Sequence, residues 1–246
     1  MLAPMPHALY VIHGSHPCAT ARRALEMKGQ PYRVVEYPPM LHVPLMWLRF
    51  RHARVPAMVL GNGERVAGSR AIVHRLDELV PDPPLLPTDP QARARVEEAE
   101  RWGDEVLQET PRRLFWAGIV RRPDAIVSYG EGSKLPLPAA VQRAVTPPLA
   151  RLAVRWDKAG EAAARRELAD LPGHLDRVDR WIAEGVIGGA QPNAADLQIA
   201  PSIRFLGTFA DVLPLLEGRP CWALATRLFP SYGGHLPAGT LTAFSA

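Results

Sequence analysis

Residues 81–90 read PDPPLLPTDP, and this stretch divides the chain into two parts of different character. Five of these ten residues are proline. Proline fixes one backbone dihedral and cannot donate a backbone hydrogen bond, so the stretch fits neither a helix nor a central strand. It is long enough to link two packed units. We therefore expect one domain over residues 1–80 and a second over residues 88–246.

The part before this stretch alternates between extended and helical patterns. Extended runs occupy residues 8–12, 32–37 and 57–60. Helical patterns occupy residues 19–28 and 69–79. We interpret the residues between the second and third runs as irregular. Asn62-Gly63 after the third run indicates a hairpin. A helix between two strands implies a right-handed crossover and parallel pairing, so the first domain is predicted to be α/β, with the hairpin at one edge of its sheet.

The part after residue 90 has helical spacing and no strand signal. Amphipathic patterns cover 92–120, 141–156, 171–184 and 194–206, with a weaker one over 215–228. Pro111 is expected to bend or break the first of these. Residues 121–138 are predicted to form a loop. The second domain is therefore expected to be an all-helical bundle.

Composition restricts the class of protein. Apolar residues make up 47% of the 246 and charged residues 22%, as in a globular chain with a real core. The net charge is +4, but arginines alternate with acidic residues, so we expect no nucleic-acid partner. No apolar run approaches the roughly 18 residues of a membrane span. The first residues lack a basic stretch before an apolar one, which predicts no secretory signal, a cytoplasmic protein and no membrane partner.

The first candidate for chemistry is the start of the first helix, in HGSHPCATARRAL. A helix N-terminus has unpaired N–H groups and a partial positive charge, which stabilise a thiolate. We therefore expect the pKa of Cys18 to lie below its usual value of about 8.5. The hydroxyl of Ser15, in the same loop, is positioned to contact the same anion. In the alternative interpretation, Cys18 is a small helix-start residue and Ser15 a cap. Cys221, beside Pro220 and Trp222, is expected to be inert packing.

Two further loops are expected at the same end of the small sheet. Val55-Pro56 precedes the third strand, where a cis peptide would expose the backbone of Val55 to a ligand. Gly68-Ser69-Arg70 precedes the second helix. Ser69 is expected to be the N-cap, and its hydroxyl with the following N–H groups suits a carboxylate. Turn formation and capping alone also explain these residues.

This order of elements, with Val-Pro before the hairpin and a serine at the second helix, resembles the cytosolic glutathione transferase family. The likeness extends to Asn193-Ala194-Ala195-Asp196, where Asn193 can cap a buried helix while Asp196 bonds back to it. In the family this motif is structural. The resemblance implies a thioredoxin-like first domain that holds a small thiol and a helical domain that supplies a pocket for an electrophile. It also implies a cytoplasmic homodimer that acts in detoxification.

The resemblance also implies roles for single residues. Cys18 falls where some classes of the family carry a catalytic serine, and Ser15 falls where other classes place a catalytic serine or cysteine. The Val55 backbone would pair with the peptide of the thiol, before a cis Pro56, and Ser69 would bind the γ-glutamyl carboxylate. The family usually has Glu or Gln where this chain has Gly68. One contact to glutathione is thereby lost, and another low-molecular-weight thiol becomes plausible as the co-substrate.

Other side chains give weaker signals. Trp102, Phe115, Trp116 and Tyr129 are candidates for the wall of a hydrophobic pocket, although aromatics at helical spacing also occur in cores. His13, His16 and Cys18 resemble metal ligands, but a fourth ligand is missing nearby, and we expect no metal.

Three functions remain open at this point. The first is a glutathione transferase-like enzyme that adds a small thiol, glutathione or another, to an apolar electrophile. The second is a thiol–disulfide oxidoreductase, or dethiolase, in which Cys18 itself forms a mixed disulfide. The third is a non-catalytic ligand-binding homologue, which Gly68 favours.

Overall fold

The structure is a computed structural model that describes residues 6–135 and 137–244. The outermost ends of both predicted domains lie outside these residues. So does part of the N-terminal stretch from which no secretory signal was predicted.

The N-terminal part contains a four-stranded mixed sheet in the order β2-β1-β3-β4. Its strands are β1 (His7–Val11), β2 (Tyr32–Glu36), β3 (Ala57–Val59) and β4 (Arg65–Ala67). β1 lies in the centre, because it pairs in parallel with β2 and antiparallel with β3. β3 and β4 form the predicted hairpin. The predicted crossover and hairpin are therefore confirmed.

The two faces of this sheet pack against different helices. Leu9 and Val11 of β1 lie on one face, in the large core that includes residues of α1 (His16–Met27) and α3 (Ser69–Leu79). Ala8 and Tyr10 lie on the other, in a smaller core with Met46 of α2 (His42–Phe50). This alternation follows from the two-residue period of a strand. Burial on both faces explains why β1 is apolar from Ala8 to Val11.

Helix α2 is absent from the sequence prediction, which gave this segment as irregular. Its sequence, HVPLMWLRF, is only nine residues long and mostly apolar, and in so short an apolar run periodicity does not separate a helix from a strand. It also contains Pro44, which falls in the first turn of the helix, where a backbone N–H has no intrahelical partner.

The C-terminal part is helical, as predicted. Its main helices are α4 (Pro90–Trp102), α5 (Glu109–Arg121), α6 (Ile126–Tyr129), α7 (Ala139–Trp156), α8 (Glu161–Ala183), α9 (Ala194–Leu206), α10 (Leu213–Leu216) and α11 (Pro220–Leu228). The predicted loop over 121–138 thus includes α6 and a short 3-10 turn, Pro123–Ala125. The α/β thioredoxin-like domain followed by an all-α helical bundle is confirmed. Within the described residues no helix is long and apolar enough to cross a membrane.

The expected break at Pro111 is wrong, because the interruption lies earlier. A π-helical turn, Gly103–Leu107, separates α4 from α5. A Cβ at Gly103 would lie 2.8 Å from the side chain of Ile199, so the close approach of α9 requires glycine here. Pro111 lies in the first turn of α5, where its missing N–H costs nothing.

The proline-rich stretch is packed rather than loose. The ammonium group of Lys28 is buried and donates to Asp77 Oδ1 at 2.6 Å and to the carbonyl oxygens of Val80 and Pro83. Leu85 is fully buried, and its carbonyl accepts from the N–H of Ala194 at 2.8 Å. The domain boundary within this stretch stays a prediction.

Helix α9 lies at the centre of the helical part and packs on α1, α4 and α11. The predicted capping motif opens it. Asn193 Oδ1 accepts from the N–H groups of Ala195 and Asp196, and Asp196 Oδ2 accepts from the N–H of Asn193 at 2.9 Å. This reciprocal cap is confirmed, and its structural role satisfies the amides of a buried helix start.

Candidate functional site

Ser15 lies half-buried in the turn between β1 and α1 and is the N-cap residue of that helix. Its N–H donates to the carbonyl of Ile12 at 3.3 Å, and its carbonyl accepts from the N–H of Ala19 at 3.1 Å. The hydroxyl caps no N–H of the helix. It lies beside the Cys18 thiol and at the cavity described below, next to a helix N-terminus that favours negative charge.

Cys18 lies on the side of α1 that faces the core, and 2% of its surface is exposed. It does not line the cavity described below. Burial raises the pKa of its thiol to about 11, and the nearby Ser15 hydroxyl offsets only part of this effect. The expected lowering of the Cys18 pKa is therefore wrong. The third residue of α1 faces the apolar core between helix and sheet, and desolvation there outweighs the helix dipole. A catalytic role for Cys18 stays a prediction.

Val55 precedes a cis peptide bond to Pro56, one of the two possibilities that the sequence left open. Its side chain lines the cavity described below. Among the described residues, no backbone hydrogen bond uses the N–H or the carbonyl of Val55. Both groups are therefore available to an extended peptide-like ligand. Pro56 is buried, and its carbonyl accepts from the N–H of Gly68 at 2.9 Å, which joins the two predicted binding loops.

The N-cap of α3 is Gly68 and not Ser69, which corrects the sequence expectation. Gly68 has φ +94°, a conformation that side-chain-bearing residues rarely adopt. Ser69 is the first helical residue and is buried. Its hydroxyl oxygen accepts a hydrogen bond from Gln198 Nε2 at 3.1 Å. The hydroxyl proton remains able to donate to an anion beside the first-turn amides of α3.

Arg70 is tied to the helical domain. Its Nε donates to Glu100 Oε2 at 3.0 Å, and Glu100 is fully buried. The same carboxylate oxygen lies 2.7 Å from Nε2 of His74, and this hydrogen bond raises the pKa of His74. Arg70 therefore fixes the start of α3 against α4. Its predicted contact with a thiol ligand stays a prediction.

A cavity of ≈ 1050 Å³ opens beside Ser15 and Val55. Its walls come from the β1–α1 turn, the segment after β2, and helices α5 and α7. Phe115 and Trp116 form an aromatic wall with their ring centroids 4.9 Å apart, and Tyr129 lies 4.9 Å from Phe115. The structure thus brings Ser15, Val55 and these aromatics to one space. A site between a loop-rich sheet edge and a helical bundle suits a small, largely apolar ligand.

Trp102 does not belong to this wall, which corrects the sequence expectation. It is buried between α4 and α8, where its ring lies 5.3 Å from that of Trp181 and 5.5 Å from that of His174. Arg177 lies over both tryptophan rings. Its helical spacing relative to Phe115 and Trp116 is broken by the π turn, so Trp102 faces a different side of the bundle.

Arg112, His16 and His42 also line the cavity, and sequence reasoning gave none of them this place. Arg112 is bonded to Glu109 and, at 3.0 Å, to Gln108 Oε1. His16 stacks on Phe205 at 5.3 Å, and burial and then the Arg112 charge hold its pKa well below the usual value. Burial lowers the pKa of His42 to about 4. No local motif marks these residues, because helix packing brings them together.

His13, His16 and Cys18 do not form a metal site. Nε2 of His13 lies 2.7 Å from the Glu131 carbonyl, whereas Nε2 of His16 lies 3.1 Å from that of Gln108. Among residues 6–135 and 137–244, no group of three or more His, Cys, Asp or Glu side chains is placed to hold a metal ion.

Solved structures share this fold over nearly the whole chain. The β-etherase LigF from Sphingobium sp. strain SYK-6 is 17% identical, with a TM-score of 0.62 over 91% of this chain and 99% of that one. A glutathione S-transferase from Sinorhizobium meliloti is 17% identical, with a TM-score of 0.58 over 98% and 100%. One from Methylobacterium radiotolerans, in complex with glutathione sulfonate, is 19% identical, with a TM-score of 0.51 over 91% and 88%.

The sequence itself matches a known family in its first part. Residues 9–84 match the family described as Glutathione S-transferase, N-terminal domain. No curated protein matches the chain. Residues 9–84 therefore belong to the N-terminal domain family of glutathione S-transferases, and the remaining helices share the fold of the solved structures above.

Proposed function

We propose that the protein is a glutathione S-transferase-like enzyme that adds a small thiol to an apolar electrophile. The thiol is glutathione or another low-molecular-weight thiol. The observation that carries the proposal is that the Ser15 hydroxyl and the free Val55 backbone meet at one cavity, opposite the aromatic wall of Phe115 and Trp116. These are the groups that hold a thiol and an apolar partner side by side.

The thiol binds along the end of the sheet. The N–H and carbonyl of Val55 pair with the peptide of a cysteinyl thiol, as one strand pairs with another. Ser69 and the first-turn amides of α3 receive the carboxylate at the far end of the ligand. Because Gly68 replaces the usual Glu or Gln, this far end has one contact fewer. The difference in binding free energy between glutathione and a shorter thiol is therefore smaller in this protein than in other members of the family.

Ser15 activates the thiol. Its hydroxyl donates to the thiolate, and the N-terminus of α1 adds a favourable field, so the pKa of the bound thiol falls towards neutrality. The sulfur then attacks an electrophilic carbon in the aromatic half of the cavity. A C–S bond forms, and a leaving group departs with its electron pair, or a proton is taken up after addition. Proximity and the ionised sulfur supply the rate enhancement.

A non-catalytic ligand-binding homologue is the second candidate. Gly68 favours it, and so does the ion pair that holds Arg70 on Glu100 rather than on a ligand. The redox alternative requires a reactive Cys18, and the raised pKa of that buried thiol argues against it. We also propose that the protein is a cytoplasmic homodimer active in detoxification, and light scattering of the purified chain measures its oligomeric state.

Conjugation of glutathione to an apolar aryl halide tests the proposed function. Ser15→Ala should lower kcat/KM roughly 10- to 100-fold, because it removes one donor to the developing charge. It should also raise the pH midpoint of the rate, since the bound thiol then ionises at higher pH. Ser15→Thr, which keeps a hydroxyl, is the matched control and should retain most of the activity.

Thiol binding by the wild-type protein distinguishes the enzyme from the non-catalytic homologue. Calorimetric titration with glutathione and with cysteine should detect binding of at least one of them. Absence of binding and of conjugation would leave the non-catalytic homologue. Equal pH profiles for wild type and Ser15→Ala would remove Ser15 from the mechanism.

A further inference from the structure

Two segments beside the cavity contain no acidic residue. Residues 37–63 hold three arginines and no Asp or Glu, and residues 132–156 hold three arginines and Lys134, again with no Asp or Glu. Removing these seven basic residues from the 29 in the chain leaves 22, against 25 acidic residues elsewhere. The positive net charge of the protein therefore comes entirely from these two segments.

The same segments carry most of the exposed apolar surface. Ten of the fourteen large apolar side chains exposed among the described residues belong to them. They are Leu41, Leu45, Trp47, Leu48, Leu135, Leu137, Val141, Val145, Leu152 and Trp156. Scattered exposed apolar residues are ordinary on a protein surface, but their concentration in two segments marks an interaction surface.

These two segments meet at the mouth of the cavity. Leu41 from the first and Leu135, Leu137, Val145 and Trp156 from the second are exposed and also line the cavity. We call these five residues the apolar rim. The apolar rim is continuous with the apolar lining of the cavity, so apolar surface is exposed to water both around the opening and inside it.

Helix α2 extends the rim outward. Leu41, Leu45 and Leu48 recur at helical spacing, with 75% of Leu48 exposed, while Met46 faces the sheet and His42 faces the cavity. Trp47 is 54% exposed beside them. A surface helix ordinarily presents polar residues to solvent. This one presents leucine and tryptophan, followed at once by Arg49 and Arg51.

We propose that this face, formed by α2, the apolar rim and the outer side of α7, docks on the surface of an anionic phospholipid bilayer. Leucine and tryptophan side chains enter the boundary between head groups and acyl chains. Arg51, Arg151 and Arg155 are exposed, and they attract the lipid phosphates. Neither segment contains an acidic residue that would oppose this attraction, and the acidic residues that flank them at the cavity, Glu36 and Asp157, are bonded to Ser133 and Arg54.

Docking of this face goes beyond the proposed enzymatic activity and does not depend on it. The sequence predicted no membrane partner, but peripheral binding requires only an outward face that is apolar and basic. On α2 this face is the side opposite Met46, which packs on the sheet. If the enzymatic proposal also holds, the bilayer is where apolar electrophiles concentrate, and the docked protein presents its cavity mouth to them.

Vesicle co-sedimentation without thiol or electrophile tests the inference. The full chain should bind vesicles of equal parts phosphatidylcholine and phosphatidylglycerol and should not bind phosphatidylcholine vesicles. Binding should weaken as salt concentration rises, because the attraction is screened. Failure of vesicle binding with retained conjugation activity would overturn the docking proposal alone.

Matched variants locate the surface. Leu48→Ser should weaken vesicle binding roughly tenfold, since one exposed leucine no longer inserts. Leu215→Ser, at an exposed leucine on α10 outside this face, is its control and should bind as the wild type does. The double variant Arg151→Gln, Arg155→Gln should lose roughly tenfold or more, whereas Arg166→Gln on α8 should lose little.

Two outcomes would overturn the proposal. One is equal loss of binding in Leu48→Ser and Leu215→Ser, which would mean that this face is not the contact. The other is a wild-type dimer that ignores vesicles and becomes a monomer in Leu48→Ser. In that case the apolar face is covered by a second copy of the chain. Circular dichroism of each variant confirms that the exposed substitutions leave the fold intact.

Discussion

The side-chain amide of Gln198 donates to the hydroxyl oxygen of Ser69 across 3.1 Å, and this bond connects α9 of the helical domain to the start of α3. The same amide nitrogen lies 2.9 Å from Oδ1 of Asp104, while the Gln198 carbonyl oxygen is buried without a partner. Ser69, which the thiol carboxylate is proposed to contact, is therefore oriented from the other domain.

Gln198→Leu should weaken binding of the thiol. Without the amide, the Ser69 hydroxyl is free to rotate, and its proton is no longer held towards the ligand. We expect the Kd for glutathione, measured by calorimetry, to rise about five- to tenfold. The free energy of unfolding should fall by about 1–3 kcal/mol, because Asp104 loses a buried donor. Gln191→Leu, at an exposed glutamine, is the control, and an equal effect there would contradict the orienting role.

Cys18 should be unreactive in the folded protein. Its pKa of about 11 leaves the thiol protonated at neutral pH, and its sulfur is out of reach of solvent. Intact-mass spectrometry after incubation with oxidised glutathione should show no adduct on the native chain and adducts on the denatured chain. Cys18→Ala should conjugate thiol at the wild-type rate. A native adduct mapped to Cys18, rather than to Cys221, would restore the disulfide-exchange mechanism.

The position of Cys18 shows where sequence reasoning ends. The start of α1, the turn at Val55-Pro56 and the start of α3 follow from local patterns, because turn and capping residues act within a few positions. The sequence left the cis isomer open and placed the cap of α3 one residue late. Whether the third residue of α1 faces the cavity or the core depends on how the helix lies on the sheet. Phe115, Trp116 and Trp102 differ for the same reason, since a π turn rotates one set away from the other. The spacing of residues along the sequence indicates neither how α1 lies on the sheet nor where the π turn falls.

Helix α2 shows the complementary case. Periodicity does not separate a helix from a strand in a short, mostly apolar run, and α2 is nine such residues. The residues that concealed the helix are those that form its exposed apolar face. The missed helix and the proposed docking surface therefore have the same physical cause.

His42 should make stability depend on acid pH. Burial, and then the Arg54 charge, lower its pKa to about 4 from an ordinary value of 6.5. Protonation is therefore easier in the unfolded chain than in the folded one. The contribution of neutral His42 to the free energy of unfolding is complete above about pH 6.5 and is lost as pH falls through 4. His42→Leu should flatten the pH dependence of the unfolding free energy between these values by about 1–2 kcal/mol.

Urea unfolding at several pH values measures this effect. His235→Leu, at an exposed histidine, is the control and should leave the pH dependence as it is in the wild type. Parallel pH profiles for wild type and His42→Leu would contradict a depressed pKa for His42.

Two tryptophan variants should distinguish a cavity-wall residue from a core residue: Trp116→Ala and Trp102→Ala. Trp116 is partly buried and lines the cavity, so its loss should raise KM for the apolar electrophile roughly tenfold and leave the Kd for the thiol unchanged. Trp102 packs on Trp181 and His174, so its loss should lower the unfolding free energy by about 3–5 kcal/mol. Where the Trp102 variant remains folded, its KM for the electrophile should match the wild type. An electrophile KM that responds to Trp102 and not to Trp116 would mean that the substrate binds outside this cavity.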